Sequence, residues 1–115
     1  MAELIKGNAS PRIENGVLYF HEGDTFVLTL HLALKNMGLP VAPEEITKIT
    51  LMIRDALNKV VYFETMDADG SGSASFVFTP SVSAEFRKGR YNYDVSVQTG
   101  WERTTVADNL SCVVV

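Results

Sequence analysis

The strongest constraint on the fold is a regular alternation of apolar and polar side chains in two stretches of the sequence. From residue 26 onward, every second side chain is large and apolar and falls on one face of an extended chain: Phe26, Leu28, Leu30, Leu32 and Leu34. Residues 91–98 repeat the pattern, with one face made of Tyr91, Tyr93, Val95 and Val97. A period of two predicts strands that bury one face.

Shorter apolar runs predict the remaining strands, over residues 17–20, 49–54, 60–63, 76–78 and 110–114. Asn58-Lys59 separates two of these runs and predicts a tight hairpin turn. Glycine-containing turns separate the others, and helix is restricted to single turns within 41–46 and 81–86, each after a proline. About seven short strands joined by hairpins predict an all-β fold, an antiparallel β-sandwich of two sheets.

The chain has 115 residues, the length of one domain. Its content of 46% hydrophobic and 21% charged residues is close to the average of folded soluble domains. Residues 1–15 show no clear period, which predicts an N-terminal arm that either trails or packs on a neighbour. We therefore expect a single β-sandwich domain over residues 16–115, preceded by this arm.

Charge and cysteine content exclude several classes of protein. Ten Lys and Arg against fourteen Asp and Glu give a net charge of −4, so a surface that follows nucleic-acid phosphates is not expected. No stretch approaches the ~20 apolar residues of a membrane span. The first residues also lack the apolar run of a signal peptide. Cys112 is the single cysteine, which excludes an internal disulfide and a zinc site built from thiolates.

The segment Asp67-Ala68-Asp69-Gly70-Ser71-Gly72 is the one candidate for a metal site. Carboxylates at its first and third positions and glycine at its sixth are those of a calcium loop. Its twelfth position is Phe78, where such a loop needs a bidentate carboxylate. We therefore expect a glycine-rich connection between strands, with Asp67 and Asp69 as weak metal candidates and no bound metal or cofactor.

Catalytic residues are not predicted. His21 and His31 lie ten positions apart, which is not a metal-ligand spacing, and Cys112 is expected to pack as a small apolar side chain in the last strand. No nucleophile, base and orienting group can be brought together from these positions. We expect a protein that is not an enzyme.

The only basic cluster is Arg87-Lys88-Gly89-Arg90, beside the alternating tyrosines 91 and 93. Basic and aromatic side chains together are consistent with a patch that binds a sugar or a phosphate. The alternative is structural: both tyrosines share a face with buried valines, and one hydroxyl is expected to bond back to the turn, as in the tyrosine corner of sandwich domains. Trp101 follows Gly100 in the turn between the last two strands. It is either tucked over the end of the sandwich or exposed as an interface anchor.

Three segments resemble small immunoglobulin-like domains found in tail and baseplate proteins of phages and prophages of Gram-positive bacteria. They are Phe20-His21-Glu22-Gly23-Asp24-Thr25-Phe26, the run from Ser73 to Val95 with its Gly-x-Tyr-x-Tyr-Asp-Val ending, and the closing segments 104–106 and 110–114. The chain departs from the family pattern at Glu22, where a basic residue is common, and at Pro43-Glu44-Glu45-Ile46. The resemblance implies an immunoglobulin-like β-sandwich in which Tyr91, Tyr93 and Asp94 are structural.

The resemblance also implies a function: a virion structural module, made in the bacterial host cytoplasm, that acts through protein–protein contacts in a tail or baseplate. Its expected partners are other virion or tail subunits, including further copies of itself. Interface candidates are Trp101 and the terminal residues Val113, Val114 and Val115, whose apolar side chains lie on both faces of a strand expected at a sheet edge. The alternative is a host-encoded, non-catalytic adhesion or glycan-binding module that uses the loops at one end.

Overall fold

The computed structural model describes residues 11–32 and 43–115, which form two β-sheets packed face to face. The strands of these residues are β1 (Arg12–Glu14), β2 (Val17–Phe20), β3 (Phe26–His31), β4 (Lys48–Arg54), β5 (Val60–Asp67), β6 (Ser73–Phe78), β7 (Gly89–Thr99) and β8 (Glu102–Val114). A 3₁₀ turn at Pro43–Glu45 precedes β4, and a single α-helical turn, α1 (Pro80–Ser83), follows β6. The predicted all-β sandwich is confirmed.

The larger sheet has six strands in the order β1-β2-β8-β7-β4-β5, and the smaller sheet pairs β3 with β6. Hairpins join β1 to β2, β4 to β5, and β7 to β8, whereas β3 and β6 come together from separate parts of the chain. Two sheets with their inner faces together make a β-sandwich. One pair departs from the antiparallel expectation, because β2 runs parallel to β8.

The inner faces of both sheets form one core. Phe76 and Phe78 of β6 are almost fully buried, opposite Ile49, Leu51 and Ile53 of β4. Aromatic rings fill the end where β2 finishes and α1 follows β6. The rings of Phe20 and Phe86 meet edge to face with centroids 5.2 Å apart, and Tyr62 stacks on Phe78 at 4.6 Å. Such pairs add to the stabilisation from burial alone.

Several predicted boundaries shift in the structure. Residues 12–14, expected to belong to the arm, form the edge strand β1 and pair with β2 across the two-residue turn Asn15-Gly16. β5 continues to Asp67, four residues beyond the predicted run, because it pairs with β4 along its whole length. Residues 1–10, residues 33–34 at the end of the predicted strand 26–34, and residues 41–42 of the first predicted helical turn lie outside the described residues. No helix in the described ranges is long and apolar enough to cross a membrane.

Candidate functional site

Trp101 lies at the tip of the hairpin between the two longest strands. Thr99 pairs with Glu102, so the loop contains only Gly100 and Trp101, and Gly100 has the positive φ of 58° that a type II′ turn needs at this position. The Trp101 side chain is 89% exposed. The sequence left open whether Trp101 is tucked over the end of the sandwich or exposed. In the structure it is exposed, on a short turn between two paired strands.

The prediction that residues 113–115 lie at a free sheet edge was wrong for Val113 and Val114. Val113 and Val114 lie in β8 between two neighbours, because β7 pairs with one side of this segment and β2 with the other. Val114 is buried in the core, and Val113 is half-buried between Tyr19 and Arg90 on the outer face. These two valines are therefore part of the folded sheet and not a free apolar surface.

Val115 is exposed, but its backbone is bound to the domain. Its N–H donates to the carbonyl of Phe20 at 2.9 Å, and its carbonyl accepts from the N–H of Glu22 at 2.8 Å. β8 has 13 residues, so about 40 Å of strand separates this end from Trp101. The structure does not bring the predicted interface residues together, and of these Trp101 is by far the most exposed.

Tyr91 forms a tyrosine corner at the start of β7. Its hydroxyl donates to the carbonyl of Arg87 at 2.9 Å and accepts from the Arg87 N–H at 2.9 Å. Tyr93 points the same way into the core, and its hydroxyl donates to the carbonyl of Gly16 at 2.7 Å. Burial raises the pKa of Tyr93 to about 12. Both hydroxyls hold turns of the chain in place.

Asp94 lies on the outer face of the same strand and joins three strands. Its carboxylate pairs with Arg54 of β4 at 2.9 Å and accepts from the backbone N–H of Asn109 in β8 at 2.6 Å. Asn109 has a φ of 56° and lies in a bulge, where the register of β7 and β8 shifts. Asp94 therefore fixes an irregular point of the sheet.

Asp67 and Asp69 are engaged separately. Asp67 is the last residue of β5 and pairs with Lys48 across the hairpin at 2.5 Å, which lowers its pKa. Asp69 Oδ1 accepts from the N–H and hydroxyl of Ser71 and from the N–H of Ser73, and these bonds lower its pKa. The segment is a turn closed by its own aspartate, and the described part of the chain contains no group of three His, Cys, Asp or Glu side chains suited to a metal ion.

The basic cluster lies at the end opposite Trp101. Lys88, Gly89 and Arg90 line a shallow hollow of about 250 Å³ together with Asp55 and Leu57. The backbone N–H of Lys88 is bound by the carboxylate of Glu22 at 3.3 Å. Acidic side chains therefore lie among the basic ones, and the buried Tyr91 offers no exposed ring to a sugar.

A cleft of about 370 Å³ lies between the two sheets and was not predicted from the sequence. Among residues 11–32 and 43–115, the six-stranded sheet is wider than the two-stranded sheet, and side chains of β7 and β8 line the cleft beside β3. The cleft is lined by Ile13, Gly16, Thr29, Leu30, His31, Leu32, Tyr93, Val95, Ala107 and Leu110. Apolar side chains dominate, and no Asp, Glu, Lys or Arg is among them. Finding the cleft requires the strand order, which alternation alone does not give.

Cys112 and His31, the two remaining candidates, each contact other residues of the sandwich. Cys112 is fully buried in β8, and burial raises the pKa of its thiol to about 12, so it is not a poised nucleophile. His31 Nδ1 lies 2.5 Å from the hydroxyl of Ser73 on the neighbouring strand, at the rim of the cleft.

Comparison of the sequence with known protein families found no family model that matches it, and comparison with curated proteins found none with significant similarity. The arrangement of the described residues combines two apolar features, an exposed tryptophan at a hairpin tip and a cleft between the sheets. These features are suited to association with another molecule.

Proposed function

We propose that this chain is a structural module of a phage or prophage tail or baseplate, assembled into the virion and acting through protein–protein contacts. The proposal is supported by the resemblance of residues 20–114 to such domains, including the Gly-x-Tyr-x-Tyr-Asp-Val element. In the fold this element is the first part of β7, where both tyrosines and the aspartate bind neighbouring strands and turns. A module of this kind is a rigid block, and its function depends on what its surface contacts.

The observation that carries a contact role is Trp101, a large aromatic ring left in solvent at a well-supported hairpin tip. Tryptophan is enriched among the residues that dominate the energy of protein interfaces. The turn is only two residues long, and the strands that it joins, β7 and β8, are paired with each other up to the turn. Little conformational freedom is therefore lost when the ring is buried by a partner.

The second candidate function is a host-encoded adhesion or glycan-binding module. Trp101 also favours this reading, because an exposed ring can stack on a sugar. A sugar-binding platform usually needs more than one ring, and Tyr91, the other candidate, has its hydroxyl bound in the corner and its ring against Phe86. The virion module is the better-supported function.

Electron microscopy of particles purified from cells that carry the gene tests the proposal. A gold label on an N-terminal tag is expected at one fixed position on the tail or baseplate. A tagged copy with Trp101→Ser should be incorporated into particles less than the wild type. Leu57→Ser is the matched control and should be incorporated normally, because both side chains are 89% exposed but lie at opposite ends of the domain. Labels on the host cell surface, with none on particles, would support the adhesion module instead.

A further inference from the structure

The exposed ring of Trp101 is matched by an apolar space elsewhere on the same chain. The cleft between the sheets has a volume of about 370 Å³, more than twice the ~150 Å³ apolar cavity that is able to hold a benzene molecule. An indole ring is larger than benzene by one fused five-membered ring. The cleft is therefore large enough for a tryptophan side chain.

The chemistry of the cleft also suits an indole. Leu30, Leu32, Val95 and Leu110 supply apolar walls, and the lining contains no Asp, Glu, Lys or Arg that insertion of a ring would desolvate. A buried indole N–H needs an acceptor. Gly16 is one of the lining residues, and its carbonyl oxygen accepts a hydrogen bond from the Tyr93 hydroxyl, which leaves that oxygen one free lone pair.

The ring does not fill the cleft of its own chain. Trp101 is 89% exposed and is absent from the cleft lining, so the two features are separate on one surface. A projection and a complementary hollow at different places on one chain give a head-to-tail contact, which repeats from copy to copy. Although the chain has a net charge of −4, the cleft lining contains no Asp, Glu, Lys or Arg, so the entry of an uncharged ring meets no fixed charge there.

We propose that Trp101 of one copy inserts into the cleft between the sheets of a second copy, and that this contact repeats to build a ring or filament. The interaction rests on the proposed function, because it names the partner of a building module as another copy of the same chain. It is heterologous, so each copy uses two different surfaces.

The first test uses the fact that Trp101 is the only tryptophan in the chain, so its fluorescence reports on one side chain. As the concentration of the full chain rises to about 1 mM, we expect the emission to shift to shorter wavelength and iodide quenching to decrease. Sedimentation velocity should show growth over the same range. Trp101→Ser should weaken association by about 30-fold or more, the effect of losing an interface hot spot, while Leu57→Ser should leave it unchanged.

The second test asks whether the contact is head to tail. Ile13 lies in the short edge strand β1 and lines the cleft, so Ile13→Asp places a charge in the hollow and leaves Trp101 intact. Each variant alone should stay monomeric. An equal mixture of Trp101→Ser and Ile13→Asp should form a one-to-one dimer that grows no further, because one copy supplies the cleft and the other the ring.

Circular dichroism shows whether Ile13→Asp is folded. His31→Glu, at the exposed rim of the same cleft, replaces it if it is not. Three results would overturn the inference: a wild-type chain that stays monomeric with unchanged tryptophan emission, variants that associate like the wild type, or a mixture that stays monomeric. Any of these alongside labelled particles would reject the cleft contact and leave the virion role standing.

Discussion

Replacing Tyr91 with phenylalanine removes one hydroxyl and keeps the ring. The hydroxyl makes two hydrogen bonds of 2.9 Å with the backbone of Arg87, and the side chain is buried against Phe86. A hydrogen bond contributes about 0.5–1.5 kcal/mol, and the backbone groups of Arg87 regain part of this from water because Arg87 is exposed. We therefore expect Tyr91→Phe to lower the free energy of unfolding by about 1–2 kcal/mol.

Urea unfolding followed by far-ultraviolet circular dichroism measures this change, and the melting temperature should fall by roughly 4–8 °C for a domain of this size. Tyr19→Phe is the matched control, because Tyr19 contacts Arg12 through its ring, which phenylalanine retains. The control should change stability by less than about 0.5 kcal/mol. Equal effects of the two substitutions would refute a corner that stabilises the fold through its hydroxyl.

Two further predictions concern charge and protonation. Asp94→Asn should cost about 1–2 kcal/mol in urea unfolding, because its ion pair with Arg54 is largely shielded from solvent, whereas the same change at the exposed Asp67 should lower stability much less. An equal or larger effect at Asp67 would contradict the structural role of Asp94. Burial raises the pKa of Cys112, Tyr62 and Tyr93 to about 12, so the native state keeps protons that the unfolded state loses from about pH 9 upward. The free energy of unfolding should therefore fall as the pH rises, by about 2 kcal/mol between pH 7 and pH 10 in the wild type. In Cys112→Ala the fall over the same range should be about 1 kcal/mol. A wild-type free energy of unfolding that does not change over this range would disprove the prediction.

The alternation of residues identified most strands because a half-buried strand must alternate. The inward residues of β3 and β7 are the apolar sets predicted from the sequence, and the tyrosine corner follows from Tyr91 lying on the buried face beside a turn. Asn15-Gly16 is a strong hairpin signal that would have identified β1. Residues 1–15 lack a period, and the absence of alternation predicts an arm in place of this strand.

Strand order could not be predicted from the alternation. The parallel pairing of β2 with β8 covers residues 112–114 on the side where the sequence alone predicts a free edge. The cleft depends in the same way on the unequal widths of the sheets. Both features arise from contacts between distant segments, which local patterns do not encode. The inward direction of Val114, in contrast, follows from the alternation, and this side chain is buried.

Quantitative mass spectrometry of gradient-purified particles tests most directly whether this chain is a building module. The account predicts that its peptides stay with the particles through a density gradient and a high-salt wash, at a fixed number of copies per particle. Recovery of the chain only in fractions without particles, or in amounts that vary with washing, would contradict it.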